Sequence, residues 1–181
     1  MNKIGKSVSI LIMLVLAAGL LPAAYASDEG TCTVYFTGIG CSHCAHTDPV
    51  VLDDLPKTTD IVVIEYEIFR ASANSHVMNK YNDNYNMGFG VPQIIFSKET
   101  YLRGDTPILQ KTAALIDELS GNKCPLYDGA SASFDEIDIT SLPGEPNIWK
   151  GERILMHSGG GGDAGLLKNL LVSESISSVV E

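Results

Sequence analysis

The spacing of hydrophobic and polar residues divides most of the chain into short strands and helices. Residues 33–37 are rich in β-branched and aromatic side chains and run into a glycine, which is typical of a buried strand. Residues 60–69 carry apolar side chains at alternate positions, which predicts a second strand. Residues 42–55 between them predict a helix that bends at Pro49, and a breaker at 56–59 is expected to end it.

The same reasoning predicts four further elements. A weaker, polar helix covers 72–81, and an Asn/Gly-rich loop over 82–90 leads into a third strand at 91–96. A short fourth strand follows at 101–103. The last of these helices begins at a Thr-Pro pair, with the proline just inside its first turn, and it ends at Gly121.

The order strand, helix, strand, helix, strand, strand, helix predicts an α/β fold. Its first two strands are expected to be parallel and joined by a right-handed crossover. This arrangement places the loop 38–44 at the carboxyl end of the first strand. In such sheets, that end is where binding and catalytic sites form.

The first 26 residues resemble a secretory signal peptide. Lys3 and Lys6 precede an apolar run over 8–21, and residues 24–26 (Ala-Tyr-Ala) match the small-x-small pattern of a cleavage site. The run is short for a membrane span, which needs roughly 20 apolar residues, and an uncleaved N-terminal anchor is the alternative. The chain is therefore expected to be extracytoplasmic, either periplasmic or secreted, where disulfides persist.

The composition excludes several classes of protein. The 181 residues include 12 basic and 22 acidic side chains, which give a net charge of −10, and 45% of the residues are hydrophobic. A chain this apolar is not a disordered segment. It has no Lys/Arg-rich run to supply phosphate contacts, so no nucleic-acid partner is predicted. Four cysteines are too few for a disulfide-dense scaffold, and their spacing therefore matters more than their number.

The reactive chemistry is concentrated in residues 40–44, Gly-Cys-Ser-His-Cys. Two cysteines three positions apart at the start of a helix can close a small disulfide, and the helix dipole and unpaired backbone amides stabilise a thiolate at the first. A lowered pKa makes Cys41 both a nucleophile and a good leaving group. His43, between the two sulfurs, is expected to tune that pKa through a positive charge or a hydrogen bond, which would make the pair more oxidising.

Two plainer interpretations of the pair are a structural disulfide and half of a zinc site. Zinc requires a second pair of cysteines or two histidines at suitable spacing. Cys124 has no close cysteine or histidine partner in the sequence. The strand-helix-strand context favours a redox dithiol of Cys41 and Cys44, with no metal and no other cofactor.

Over about 31–121 the chain resembles the thioredoxin-fold family, and more than one element carries the resemblance. The Cys-x-x-Cys begins a helix after a hydrophobic strand, and Pro49 matches the position where family members kink that helix. Residues 90–96 (Gly-Val-Pro-Gln-Ile-Ile-Phe) look like the family's second signature, a cis-proline that opens the next antiparallel strand. The combination is considerably more specific than the cysteine pair alone.

The resemblance implies a thioredoxin-like fold and a protein thiol–disulfide oxidoreductase, with Cys41 as nucleophile and Cys44 as resolving thiol. It implies that Val91–Pro92 is a cis bond lying against Cys41 and that the Val91 backbone pairs with the substrate chain. The implied partners are protein thiols or disulfides, together with a membrane redox partner as an option. The direction of electron flow is not legible in the sequence.

The sequence also departs from the family pattern. Gly40 stands where family members often carry tryptophan, which is closer to glutaredoxin-like or disulfide-bond-forming proteins. Tyr35 replaces the buried carboxylate that thioredoxins place six residues before the first cysteine. Glu65 and Glu67 are candidates to accept the proton of Cys44 in its place, although the sequence favours solvated surface carboxylates at both positions.

The remaining two cysteines are interpreted through the same resemblance. In the implied topology, the first strand begins and the last helix ends at the pole away from the active site. Cys32 opens that strand and Cys124 follows that helix, so a structural disulfide between them is expected. Such a bridge closes a long loop and contributes roughly 3–4 kcal/mol. A second redox pair that relays electrons is the functional alternative.

A rival function comes from the same residues. Residues 38–44 also resemble the Gly-x-x-Cys-x-x-Cys loop of heavy-metal-associated domains, in which two thiolates capture copper(I). His46 is an additional ligand candidate in that case. Those domains are small ferredoxin-like units, however, and they do not account for the Gly-Val-Pro strand or for the long helix after Gly104.

Residues 122–181 lie outside the resemblance and form a C-terminal extension, packed on the domain or flexibly linked to it. Short strands are predicted at 134–139 and 153–156, and Trp149 is expected to pack against the core. Four glycines over 159–162 indicate a flexible linker. The helix expected after them has an apolar face that consists of Leu166, Leu167, Leu170 and Leu171.

Overall fold

A computed structural model describes residues 30–156 and 163–172 of the chain. The predicted signal peptide (1–26) and the glycine run (159–162) lie outside the described residues. No described helix has both the length and the apolar character that crossing a membrane requires.

The described residues form five α-helices, one π-helical segment and eight strands. The helical elements are α1 (Ser42–Asp48), the π-helical segment (Pro49–Asp54), α2 (Leu55–Thr58), α3 (Ser72–Tyr85), α4 (Asp105–Glu118) and α5 (Ala164–Val172). The strands are β1 (Thr31–Thr37), β2 (Ile61–Glu67), β3 (Gln93–Ile95), β4 (Tyr101–Arg103), β5 (Cys124–Pro125), β6 (Ser131–Ala132), β7 (Asn147–Lys150) and β8 (Arg153–Met156).

The protein has a mixed α/β fold that is organised around a six-stranded sheet, in the order β4-β3-β1-β2-β7-β8. The prediction that the first two strands are parallel is confirmed, because Thr31 pairs with Ile61 and Thr37 with Glu67 in a parallel register. Every other neighbouring pair in this sheet is antiparallel. Strands β5 and β6 form a separate two-stranded ladder.

Strand β1 lies at the centre of the core, and all seven of its residues are buried. Successive side chains of a strand point to opposite faces of the sheet. Phe36 therefore packs on the α3 face with residues such as Tyr81, whereas Tyr35 packs on the opposite face with Val51 and Ile108. Burial on both faces accounts for the β-branched and aromatic composition by which this strand is recognised in the sequence.

The helix continues three residues past its predicted end at residue 55. The backbone stays helical through the π-helical segment, where the Leu55 N–H donates to Val50 O, and the chain continues as α2 to Thr58. Proline is tolerated in the first turn of a helix, and this is where Pro56 lies in α2. The helix stops at Thr59, whose backbone is extended.

Helix α3 is longer than the predicted 72–81 and ends at Asn86, which adopts a left-handed conformation with φ of 51°. Its polar composition conceals a buried face, because Asn74 and Asn82 lie inside the protein beside apolar neighbours. Tyr81 and Tyr85 extend an aromatic stack from the sheet, with ring centroids 5.5 Å apart. Tertiary packing therefore outweighs the weak helical pattern.

The chain beyond Gly121 contributes directly to the main sheet. Strand β7 pairs antiparallel with β2, and β8 extends the sheet by one more strand, within the predicted range 153–156. The strand predicted at 134–139 is wrong, because this stretch contains a 3₁₀ turn (Phe134–Glu136). Ser133 and Glu136 cap that turn reciprocally, and such side-chain caps compete with extended pairing.

Helix α5 carries the predicted C-terminal apolar face only in part. Leu171 is buried in the α3-side core and Leu167 packs against that core, whereas Leu166 is exposed. The Leu170 carbonyl accepts a hydrogen bond from the Arg153 guanidinium at 2.9 Å, which ties the helix to β8.

Candidate active site

The first two strands end, and β3 begins, at the same end of the sheet. We call it the site end. The loop after β1 turns sharply there, with Gly40 at a φ of 96° and the Cys41 N–H donating to Gly38 O at 3.0 Å. This turn delivers Cys41 to the N-cap of α1. The sequence-predicted dithiol thus stands where the carboxyl end of the first strand meets a helix N-terminus.

The two cysteines of this pair are in different environments. Cys41 is the N-cap of α1 and is partly exposed, and its Sγ accepts a hydrogen bond from the Cys44 N–H at 3.1 Å. Cys44 is fully buried. The two form a disulfide with their Cα atoms 5.2 Å apart. A sulfur at an N-cap faces unpaired amides and the positive end of the helix dipole, so this position favours Cys41 as a thiolate when the pair is reduced.

The Val91–Pro92 peptide bond is cis and lies opposite the dithiol. The Val91 carbonyl oxygen is 4.0 Å from Cys41 Sγ. Two contacts hold this segment: the Gly104 N–H donates to Pro92 O at 2.9 Å, and Gln93 Nε2 donates to Gly88 O at 2.6 Å. The structure therefore brings Val91 and Pro92 together with Cys41.

His43 has a partner that was not predicted. Its Nδ1 lies 2.9 Å from Asp105 Oδ2, and the His46 Nδ1 lies 3.2 Å from the same oxygen. The His43 hydrogen bond, followed by those of His46 and the Thr106 N–H, holds the pKa of Asp105 well below its usual range. The contact that the structure gives the exposed His43 ring is therefore with this carboxylate. The sequence signal for Asp105 is its place as an acidic residue in the first turn of α4.

A second unpredicted network lies beneath the dithiol. The Tyr35 hydroxyl shares a hydrogen bond with Thr47 Oγ1 at 2.6 Å and donates to Asp48 Oδ1 at 2.8 Å, and Thr37 Oγ1 donates to the same oxygen at 2.6 Å. Burial raises the pKa of Tyr35 far above its usual value, so the hydroxyl stays protonated. Thr47 Oγ1 also lies 3.2 Å from the Cys44 carbonyl oxygen, so this group adjoins the backbone of Cys44.

The expectation that Glu65 is a solvated surface carboxylate is wrong. The residue is only 6% exposed, because β7 covers it. Burial raises its pKa, although Oε2 accepts hydrogen bonds from Trp149 Nε1 at 2.7 Å and from Asn147 Nδ2 at 3.2 Å. In the sheet, Glu65 is directly opposite Tyr35. A carboxyl group with a raised pKa therefore lies next to the Tyr35 network.

The Glu67 carboxylate joins the loop after β1 to the loop after β2 at the site end. Its carboxylate accepts backbone N–H bonds from four residues at 2.8 to 3.2 Å. Partial burial acts to raise its pKa, but these four bonds outweigh it, and the pKa lies below its usual value. The donors, one from the loop after β1 and three from the loop after β2, are Ile39, Phe69, Arg70 and Ala71.

Cys32 and Cys124 form the second disulfide, at the opposite end of β1, with their Cα atoms 4.8 Å apart. Both are buried, at 2% and 0% exposure. The Asn122 side chain clamps the bridge by accepting from the Cys32 N–H at 2.7 Å and donating to Cys32 O at 2.9 Å. A seven-residue strand separates the two disulfides, a span of about 20 Å. The two disulfides are therefore too far apart to exchange directly with each other in this structure.

Among the described residues, His, Cys, Asp and Glu form no group of three or more that could hold a metal ion. His46, the additional copper(I) ligand candidate, contacts Asp105 instead. Comparison of the chain with protein-family models, with curated proteins and with solved structures finds no match. The functional argument therefore depends on the geometry of the site.

Proposed function

We propose that this chain is an exported protein thiol–disulfide oxidoreductase with a thioredoxin-like fold. The observation that carries the proposal is the asymmetry of the two sulfurs, because Cys41 is partly exposed at a helix N-cap while Cys44 is fully buried. An incoming thiolate or disulfide can reach only one of them. The roles of attacking and resolving sulfur follow from this difference in access.

In the disulfide form, a substrate thiolate attacks Cys41 Sγ and the Cys41–Cys44 bond breaks. Cys44 leaves as a thiolate that takes up a proton, and a mixed disulfide joins the substrate to Cys41. A second substrate thiolate then attacks the substrate sulfur and releases the Cys41 thiolate. The substrate loses two electrons to the dithiol, and the reverse sequence reduces a substrate disulfide.

Two carboxyl groups beside the Tyr35 network, the half-buried Asp48 and the buried Glu65, support a proton-transfer role. Asp48 is connected to the Cys44 carbonyl oxygen by hydrogen-bond contacts that pass through Tyr35 and Thr47. Glu65, whose pKa burial raises, lies beside the same tyrosine. We propose that these carboxyl groups exchange the proton that Cys44 gains and loses, in the place of the single buried carboxylate of thioredoxins.

Two disulfides among the described residues support an extracytoplasmic location, because cytosolic thiols are kept reduced. The predicted signal peptide adds to this argument. The cis Val91–Pro92 bond beside Cys41 supports the thioredoxin-like assignment. The proposal leaves the direction of electron flow to be set by the reduction potential of the pair.

The test is to measure that potential in glutathione buffers and to compare Cys41→Ser with Cys44→Ser in exchange with a disulfide-bonded protein. We expect Cys41→Ser to be inactive and Cys44→Ser to accumulate a mixed disulfide through Cys41. The matched control is Cys32→Ala with Cys124→Ala, which leaves the proposed site intact and should retain exchange. Undiminished exchange by Cys41→Ser would refute the assignment.

A further inference from the structure

Two histidines of α1 share one carboxylate of α4. His43 Nδ1 lies 2.9 Å and His46 Nδ1 lies 3.2 Å from Asp105 Oδ2. The histidines are three positions apart on α1, so they stand on the same face of that helix. We call these three residues the histidine–aspartate cluster. It connects the helix that begins at the dithiol to the helix that follows β4.

The carboxylate is the best anchored member of the cluster. Asp105 Oδ1 accepts a hydrogen bond from the Thr106 N–H at 2.8 Å, which leaves Oδ2 for the two imidazoles. The Asp105 side chain is 23% exposed, against 66% for His43. Gly104, directly before it, has a φ of 87° and donates its N–H to Pro92 O. The contact with the cis-proline segment therefore fixes where Asp105 stands relative to the dithiol.

The hydrogen bond of His43 is directed to α4. Its Nδ1 meets Asp105 Oδ2, whereas Cys41 Sγ accepts a hydrogen bond from the Cys44 N–H. A neutral imidazole can donate to the carboxylate, and a protonated one forms an ion pair with it. In both states Asp105 engages the Nδ1–H of His43, and that N–H is then not available to a thiolate at Cys41.

Asp105 also brings a negative charge to the helix that carries the dithiol. Hydrogen bonds from His43, His46 and the Thr106 N–H hold the pKa of Asp105 well below its usual range, so the group is ionised at neutral pH. For any given protonation state of the two imidazoles, the cluster is one unit more negative with this carboxylate than without it. A nearby negative charge disfavours a thiolate at Cys41. It therefore disfavours the reduced dithiol and makes the pair less oxidising.

We infer that Asp105 is a positioning residue for the proposed exchange, because it holds the His43 imidazole on α4 and makes the Cys41–Cys44 pair less oxidising than the Cys-Ser-His-Cys pattern alone implies. The inference rests on the proposed function. When the pair oxidises glutathione, the Cys41–Cys44 bond breaks and two glutathione thiols supply two electrons and two protons as they join in one disulfide. Cys44 takes up one proton, the other goes to solvent, and Cys41 remains a thiolate. The charge of this thiolate is what Asp105 opposes.

The test measures the equilibrium between the full chain and glutathione at neutral pH, together with the pKa of the Cys41 thiol from the ultraviolet absorbance of its thiolate. The variants are Asp105→Asn, His43→Gln and the double variant. Asparagine keeps the size of the side chain and can still accept from the Thr106 N–H, so the start of α4 is preserved. Asp105→Ser gives a second way to remove the charge. The matched control is Asp117→Asn, which removes the same charge from an exposed position near the other end of α4.

We expect Asp105→Asn and Asp105→Ser to raise the equilibrium constant for oxidation of glutathione about fivefold, which is about 20 mV for this two-electron couple. The pKa of the Cys41 thiol should fall in both, because the thiolate is favoured. In the His43→Gln background, Asp105→Asn should change the constant by less than about twofold, since only the direct effect of the solvent-screened carboxylate remains. Asp117→Asn should change neither quantity.

The outcomes separate the inference from the proposal on which it rests. An equilibrium that the folded Asp105 variants leave unchanged would overturn the inference and leave the oxidoreductase proposal intact. An equal rise in the wild-type and His43→Gln backgrounds would show that the carboxylate acts without His43, and the positioning role would be wrong. A similar rise for Asp117→Asn would assign the effect to the overall charge of the chain. Failure of the wild type to exchange with glutathione would instead remove the proposed function, and the inference with it.

Discussion

The Cys32–Cys124 bridge gives the sharpest quantitative prediction. The two cysteines are 92 positions apart, and cross-linking a loop of that length removes about 4–5 kcal/mol of chain entropy from the unfolded state at 25 °C. Replacing both by alanine should therefore lower the free energy of unfolding by about 4 kcal/mol, which is a large part of the 5–15 kcal/mol typical of a domain. Alanine is preferred to serine because both positions are buried.

The assay is urea denaturation of the wild type and of the double-alanine variant, without reductant, followed by the fluorescence of the single tryptophan, Trp149. The native contacts around the bridge are expected to remain, because Asn122 still joins the backbone of residue 32 to Phe96 O. The midpoint should fall without loss of the native state at zero urea. Cys41→Ala with Cys44→Ala is the matched comparison, and it should cost less because its loop spans only three positions.

A loss below about 1 kcal/mol in the Cys32→Ala, Cys124→Ala variant would refute the structural role, given the loop length. Slower exchange in a variant with unchanged stability would instead support the relay of electrons between the two pairs. The burial of both sulfurs and the length of β1 argue against that result.

Three further predictions concern the polar groups Glu65, Glu67 and Tyr35. Burial raises the pKa of Glu65, so its ionisation opposes folding as the pH rises through the folded-state pKa. Glu65→Gln should therefore have a higher urea midpoint than the wild type at pH 8. The two midpoints should converge below pH ~4.5, where the carboxyl is protonated in both the folded and the unfolded state. Glu67 has a lowered pKa, so its carboxylate stabilises the folded state and Glu67→Gln should be less stable than the wild type at pH 7. The difference in free energy of unfolding should shrink as the pH falls through the lowered pKa, because the wild type then loses its carboxylate. Tyr35→Phe leaves Asp48 with one fewer donor and should cost about 1–3 kcal/mol in urea unfolding; an unchanged midpoint would contradict the network.

The features that depend on neighbours in sequence are predictable from the chain alone. The strand over 33–37, the glycine turn and the cysteine pair are local patterns, and the structure brings Cys41 and Val91 together as the family resemblance implies. The parallel pairing of β1 with β2 follows from the helix between them. The elements that fix the position of the dithiol can therefore be predicted from the sequence.

The electrostatic environment of the site was not predictable in this way. Asp105 meets His43 across 62 positions, and Trp149 meets Glu65 across 84. The sequence around Glu65 is typical of a surface residue. Its burial depends on the pairing of β7 with β2, which no local pattern predicts. Long-range packing decides both shifts, because it removes Glu65 from water, which raises its pKa, and brings His43 to Asp105, which lowers the pKa of that carboxyl.

The position of β2 between β1 and β7 has a consequence for biosynthesis. One edge of β2 pairs with β1, which precedes it in the chain. The other edge pairs with β7, which lies some eighty residues later. Until that segment has emerged, β2 exposes unpaired amides and carbonyls along a hydrophobic strand, which is a template for association with other chains. A chain truncated before residue 147 should therefore aggregate even though it carries both cysteine pairs.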